Sequence, residues 1–412
     1  MADPSTSPSL SRAGVQAARE RIRPYVHHTP TLTNATLTAL ASSPTPPASS
    51  DAQSKTAETV SSAETEARAE VGRTNGGAAN APKAPVMRLY FKCENMQRIG
   101  AFKARGAFHA LGRLMDQPGW LEGGGREKGV VTHSSGNHAQ ALSLAARQHG
   151  IPAHIVMPTI SPPPKIAATK GYGANVVFSG STSTEREAET ARVMKETGAT
   201  LIPPYDHPDI ILGQGTLGLE LQEDAAALIA AEEEATAGEA PAFFDYRAPA
   251  KGLDVILAPC GGGGMLSGVA LSCEGTGIKV FGCEPSHQGA DDAKRGYESG
   301  TRVEAVKSLT IADGLRTPLG NYPWQVIYER RLVSGFFSVD ERQIRDAMRL
   351  VYERMKMVIE PSGAVPLAVA LYNDEFRNLV AAEAGEEGWD VGIVFSGGNV
   401  ELEALGKLFA PE

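Results

Sequence analysis

The sequence predicts an α/β protein of two lobes built on parallel-rich, twisted sheets. Three observations carry this. Short β-branched runs alternate with helical patterns, the signature of βαβ units. Several of those runs end in glycine- or serine-rich turns that open the next helix. The 412 residues, 42% of them hydrophobic, are enough for two cores.

Taken in order, Gly129–His133 (GVVTH) reads as a strand, followed by a helix over Asn137–His149. Ala153–Met157 is the next strand, then a helix through Lys165–Lys170, a strand at Asn175–Phe178 and a helix over Thr184–Thr197. Thr200–Ile202 closes this unit, so residues 129–206 are expected to form the smaller lobe. The pattern resumes with the strand Asp254–Ala258, a glycine turn and a helix, and continues with the strand Lys279–Cys283. It ends with Asp390–Phe395, assigning residues 1–128 and 207–412 to the larger lobe. Two stretches depart from this order. Residues from about 41 to 85 are rich in Ala, Ser, Thr, Pro and Gly and predict a disordered surface insertion. A second insertion spans about 224–252, and its first half can extend a helix.

A net charge of −9 argues against a nucleic-acid footprint, which would be basic. The four cysteines, Cys93, Cys260, Cys273 and Cys283, are spaced like neither a zinc site nor a disulfide framework. The polar N-terminus lacks a signal-peptide core, and no apolar run reaches bilayer length, so a cytoplasmic location with no membrane contact is expected.

Four segments carry candidate chemistry. Gly261–Gly264, between a strand and a helix opening at Met265, can point successive N–H groups at a phosphate. The same glycines also suit a plain tight turn. With Glu284 they imitate a dinucleotide fingerprint, although Ser267 takes its third glycine position. Lys103 follows Phe102 at the start of an otherwise apolar helix, where a lysine can lose its charge and act as a nucleophile. Ser134, Ser135, Asn137 and His138 crowd a strand-to-helix junction suited to a carboxylate, or to simple capping. Ser396 closes the last strand in FSGGN, where a neutral hydroxyl can meet a ring nitrogen or cap a turn.

In this order and spacing, ENMQRIGAFKARGA, THSSGNHAQAL, ILGQGTLGLE, PCGGGGMLSG, CEPS, IADG, EPSGA and FSGGN resemble the fold-type-II pyridoxal-phosphate enzymes. The likeness is to the serine/threonine dehydratase and serine racemase family, with its tryptophan synthase beta-like fold, and runs from about Arg21 to Leu408. It implies that Lys103 carries pyridoxal 5'-phosphate, Phe102 packs at its ring, and Gly261, Gly262, Gly263, Gly264 and Met265 hold its phosphate. It implies that Asn137 meets the phenolic oxygen and Ser396 the ring nitrogen. Ser134, Ser135, Asn137, His138 and Arg186 are implied for the substrate carboxylate, in a smaller substrate-binding lobe facing a larger cofactor-binding one. Glu284, Ala290 and Asp292 resemble a Mg²⁺ or Ca²⁺ site.

The expected reaction is dehydration and deamination of L-serine or L-threonine to a 2-oxo acid and ammonia. The alternative is serine racemase, with Lys103 and Ser135 as acid/base groups on opposite faces. A hydroxyaspartate lyase falls in the same group. Outside it stands a nicotinamide-dependent oxidoreductase, resting on the dinucleotide-like glycines. The family implies a homodimer and an ATP effector, with the long insertion after Asn34 lying near where some relatives bind nucleotide. A C-terminal regulatory domain is not expected, because the chain ends soon after FSGGN.

Overall fold

A computed structural model describes residues 3–45, 84–134, 136–161, 163–237 and 252–410. Among them, ten strands form two sheets. The larger contains β1 (Thr31–Thr33), β2 (Met87–Cys93), β7 (Val255–Pro259), β8 (Lys279–Pro285), β9 (Gly335–Val339) and β10 (Trp389–Phe395), in the order β1-β2-β10-β7-β8-β9. Only the β1–β2 pair is antiparallel. The smaller sheet, β5-β4-β3-β6, is wholly parallel and is formed by β3 (Val130–His133), β4 (Ala153–Pro158), β5 (Asn175–Ser179) and β6 (Thr200–Leu201).

Every residue of β7 and β10 is buried, as expected for parallel strands covered on both faces. On one face the helix Pro361–Tyr372 packs over β7 to β10, and Phe91 stacks on Phe395 with ring centroids 5.0 Å apart. On the other lie the helices Pro208–Ala237 and Gly264–Ser272. These two helices touch backbone to backbone. A Cβ on Gly215 would stand 2.5 Å from the carbonyl oxygen of Gly268, so side chains there would force them apart.

The predicted helices around the smaller sheet form at Asn137–His149, Pro163–Gly171 and Ser183–Thr197, the last closed by a Thr182/Glu185 capping box. Gly129, at φ 81, turns the chain into β3 rather than belonging to it. The core of this sheet also takes in Phe108 and Leu111 of the helix Lys103–Met115, which packs on Asn137–His149. Lys103 therefore starts a helix wedged between the two sheets. Most of the first expected insertion, residues 46–83, lies outside the described residues. Of the second, residues 224–237 continue the helix Pro208–Ala237, and 238–251 lie outside. All four cysteines are free and buried. Among the described residues no helix is long and apolar enough to cross a membrane.

The wedge is anchored by a buried ion cluster. Arg105 donates to Glu94 through Nε and Nη2 (2.8 Å each) and to Glu220 through Nη1 and Nη2 (2.7 Å each). Lys92 Nζ adds a contact to Glu220 at 2.9 Å. The Arg105 and Glu94 side chains are fully enclosed, so removing the guanidinium leaves the Glu94 carboxylate out of solvent and without its paired cation. Arg105→Met is expected to cost about 3–5 kcal/mol, read as a lower denaturant midpoint; an unchanged midpoint would mean that the cluster does not hold the helix.

Candidate active site

The site begins where two loops are sewn together. Phe102 N–H donates to Ser396 O (3.1 Å), Gly398 N–H to Gly100 O (2.9 Å), and Ala101 bridges Gly397. Asn399 Nδ2 donates to Ile99 O at 2.7 Å. Ile99, a β-branched residue, is held at φ 60 in the left-handed region, a costly conformation that these contacts maintain. The result places Lys103 and Ser396 side by side in the fold, although 293 positions separate them in the chain.

Lys103 Nζ turns inward and donates to Pro204 O at 2.6 Å, lying 5.1 Å from the Phe102 ring centroid. Burial pulls its amine down to about 8, while the nearby Glu360 carboxylate works against that shift. A lysine so placed reaches its neutral, nucleophilic form near physiological pH.

The next residue after Pro204, Tyr205, covers the glycine turn. A Cβ on Gly262 would fall 2.4 Å from the Tyr205 ring, and one on Gly261 would fall 2.9 Å from the Leu315 Cα. Gly263, at φ 82, is the N-cap of the helix Gly264–Ser272, and no side chain caps that end. Met265 in its first turn is 5% exposed. Beside the turn, the buried Gln214 amide and Ser267 hydroxyl have no hydrogen-bond partner in the protein. Open N–H groups, a helix start and unpartnered donors suit a phosphate.

At the β3 junction the helix Asn137–His149 starts from Gly136, again with no side-chain cap. Ser134 Oγ accepts from Gly136 N–H at 3.3 Å, and Ser135 lies outside the described residues. The His138 imidazole is buried, with Nε2 3.2 Å from Ile202 O and Nδ1 without a partner in the protein, and its first-turn N–H is open to a carboxylate. Burial, then the charge of Lys103, pushes that imidazole down to about 3, and it stays neutral. Arg186 sits half-buried in the helix Ser183–Thr197, and its charge, after burial, holds His133 below the usual histidine range.

The structure adds a residue to which the sequence reading gave no role. Glu360, in EPSGA, is 5% exposed, and both its oxygens accept from Asn137 Nδ2 (3.0 and 3.2 Å). Asn137 Oδ1 accepts in turn from Asn399 Nδ2 at 2.8 Å. Asn137 thus joins Lys103 and Ser396, whereas Glu284, Ala290 and Asp292 lie together beyond the glycine turn.

Glu284 and Asp292 are both buried. Glu284 accepts the N–H groups of Ala293 (3.1 Å) and Lys294 (2.7 Å), capping the helix Asp292–Ser299. Asp292 Oδ2 has no partner in the protein, while Asp291 pairs with Arg295 at 3.1 Å. Among the described residues no three His, Cys, Asp or Glu side chains cluster as a metal site. The two buried carboxylates, Glu284 and Asp292, are the acidic groups gathered there. The dinucleotide reading fails here, because Glu284, buried in β8 and occupied by the N–H groups of the helix Asp292–Ser299, cannot meet a ribose.

Comparison with known proteins points to one family. The model of the pyridoxal-phosphate dependent enzyme family matches residues 68–397. The serine racemase of Oryza sativa subsp. indica is 36% identical over 393 residues, covering 95% of this chain and 91% of its own. The L-threo-3-hydroxyaspartate ammonia-lyase of Saccharomyces cerevisiae is 39% identical over 326 residues, 78% of this chain and 86% of its own. The crystal structure of serine racemase from Dictyostelium discoideum matches with a TM-score of 0.70 at 35% identity, over 95% of this chain and 99% of that one. A family match that spans most of the chain, together with a half-buried lysine bonded to the segment that covers a glycine turn suited to phosphate, means that this chain belongs to the fold-type-II pyridoxal-phosphate-dependent enzymes.

Proposed function

We propose that this enzyme works at the Cα of a small 3-hydroxy amino acid, L-serine or L-threonine. After removal of the α-proton, loss of the β-hydroxyl as water leaves an enamine whose imine tautomer is hydrolysed by water to a 2-oxo acid and ammonia, whereas return of a proton to the opposite face gives the D-amino acid. The observation that carries the reading is Lys103, an enclosed amine near neutrality at the centre of the gathered residues.

Bound pyridoxal phosphate supplies an electron sink that makes the α-proton acidic. In this reading Gly261, Gly262, Gly263, Gly264 and Met265 hold its phosphate, Phe102 its ring, Asn137 its phenolic oxygen and Ser396 its ring nitrogen. Ser396 is a neutral partner, so it orients that nitrogen without adding charge. Residues 129–206 form the substrate lobe, where Ser134, Ser135, the first-turn N–H groups of Asn137 and His138, and Arg186 receive the carboxylate. Lys103 carries the cofactor and then moves the α-proton on one face. Ser135 is the candidate proton donor on the other.

Two kinds of relative support the two outcomes. Proteins named serine racemases match this chain over nearly its whole length, which slightly favours racemisation, while the yeast relative is named an ammonia-lyase. A homodimer, a response to ATP and a cytoplasmic location complete the reading and rest on the family resemblance. We also assign Mg²⁺ or Ca²⁺ to Glu284, Asp292 and the Ala290 carbonyl, because an unpartnered buried carboxylate oxygen calls for a cation. That ion would brace the start of the helix Asp292–Ser299.

With L-serine, the wild type is expected to form pyruvate and D-serine in one tube, and Lys103→Ala to abolish both. Ser135→Ala is expected to remove D-serine while elimination survives. If D-serine never forms, the racemase outcome is lost, and activity in Lys103→Ala would overturn the whole reading. Gly262→Ala forces a methyl against Tyr205 and should weaken cofactor binding at least about tenfold, or about 1.4 kcal/mol, in a titration of the folded protein. Chelation should lower the melting temperature, with Mg²⁺ or Ca²⁺ restoring it in the wild type and not in Asp292→Asn. Burial raises Asp292 to about 6, so protons compete for this carboxylate and cation affinity should fall as pH drops through about 6.

A further inference from the structure

Glu360 stands at the N-cap of the helix Pro361–Tyr372, where an acidic side chain ordinarily turns back to the first free N–H groups. It makes no such cap. Its own N–H is tied to Gly397 O at 2.9 Å, and Oε1 lies 2.8 Å from where a Cβ on Gly397 would stand. The carboxyl therefore points into the seam between the two sewn loops, against the residue that follows Ser396. A buried acid held there, away from its helix, calls for a role in the site.

Its hydrogen bonds define that role. Both oxygens take the Asn137 Nδ2 group, and the Asn137 Oδ1 takes the Asn399 Nδ2 group, itself fixed by Ile99 O. Reversing the Asn137 amide would set its oxygen against the carboxylate and its NH₂ against another NH₂. Only one orientation is satisfied.

The charged groups facing Glu360 are Asp313, Lys165 and Lys103, with Asn399 N–H beside it. Asp313 and Lys165 pair with each other at 2.6 Å. Glu360 is the charge that works on Lys103, and Lys103 in turn helps keep His138 neutral. Burial first, and Asp313 second, lift Glu360 to about 7, while Lys103 lies at about 8. In the interval between, a carboxylate and an ammonium coexist in the site; Glu360 is the charge that bears on Lys103, while Lys165 is the cation that bears on Glu360.

We propose that Glu360 is a positioning residue of this site, one that locks the Asn137 amide and supplies the negative charge against which the Lys103 nitrogen holds its proton. The proposal rests on the reading that Lys103 carries the cofactor.

The test is a pH titration of the visible absorbance of the lysine-bound cofactor in the holoenzyme, run on wild type, Glu360→Gln and Glu360→Asp. Without the negative charge the nitrogen gives up its proton more readily. The midpoint should fall by about one pH unit in Glu360→Gln and return toward the wild-type value in Glu360→Asp. An unmoved midpoint in cofactor-loaded Glu360→Gln overturns the proposal. Should that variant fail to fold or load, Asp313→Asn decides. Relieved of its acidic neighbour, Glu360 should titrate lower, so the acid limb of the kcat/KM profile should shift to lower pH; a stationary limb overturns the proposal. The underlying reading fails separately, if Lys103→Ala keeps the lysine-type absorbance.

Discussion

Everything chemical in this protein depends on the seam between residues 97–102 and 396–399. Backbone hydrogen bonds join Phe102 to Ser396 and Gly398 to Gly100, and the Asn399 side chain reaches across to Ile99. Both loops leave the ends of adjacent parallel strands, since β2 pairs with β10 in register from Met87 to Cys93. The sheet thus delivers the lysine and the serine to one edge, and the left-handed turn at Ile99 aims the following helix inward. Loosening that seam would separate the groups however well each lobe remained folded.

The second constraint is the low dielectric of the wedge between the sheets. Burial alone shifts Lys103, His138 and Glu360 toward their neutral forms, and the partners nearby then decide how far each moves. Arg105, two residues from Lys103, stays charged within the same helix because two glutamates surround it. One turn of helix therefore carries a cation locked for structure and an amine free for chemistry. The difference lies in the partners.

Legibility followed the chemistry of local runs. The strands and helices from Gly129 to Ile202 could be read because β-branched runs and amphipathic stretches alternate cleanly there. The short β1 and the strands β2 and β9 were not singled out, since a brief run such as Gly335–Val339 looks the same in a strand or a buried loop. The glycine turn, Lys103 and Ser396 stood out as unusual residues in apolar or strand-ending settings. Glu360 did not, because an acid before Pro361 reads as an ordinary helix start. Even its motif EPSGA, quoted for the family resemblance, carried no sign that the carboxyl turns away from its helix.

By itself, then, the sequence determined the α/β alternation, the family to which the motifs point, and the residue types available for catalysis. Those properties are written in neighbouring residues. Tertiary structure alone decided that Asn137 faces Glu360, that Pro204 accepts from Lys103, that Glu284 caps the helix Asp292–Ser299, and that His138 turns to Ile202. Each of these joins groups from separate elements, and side-chain direction, burial and charge at such meeting points follow from packing in three dimensions. No local pattern in the chain encodes them.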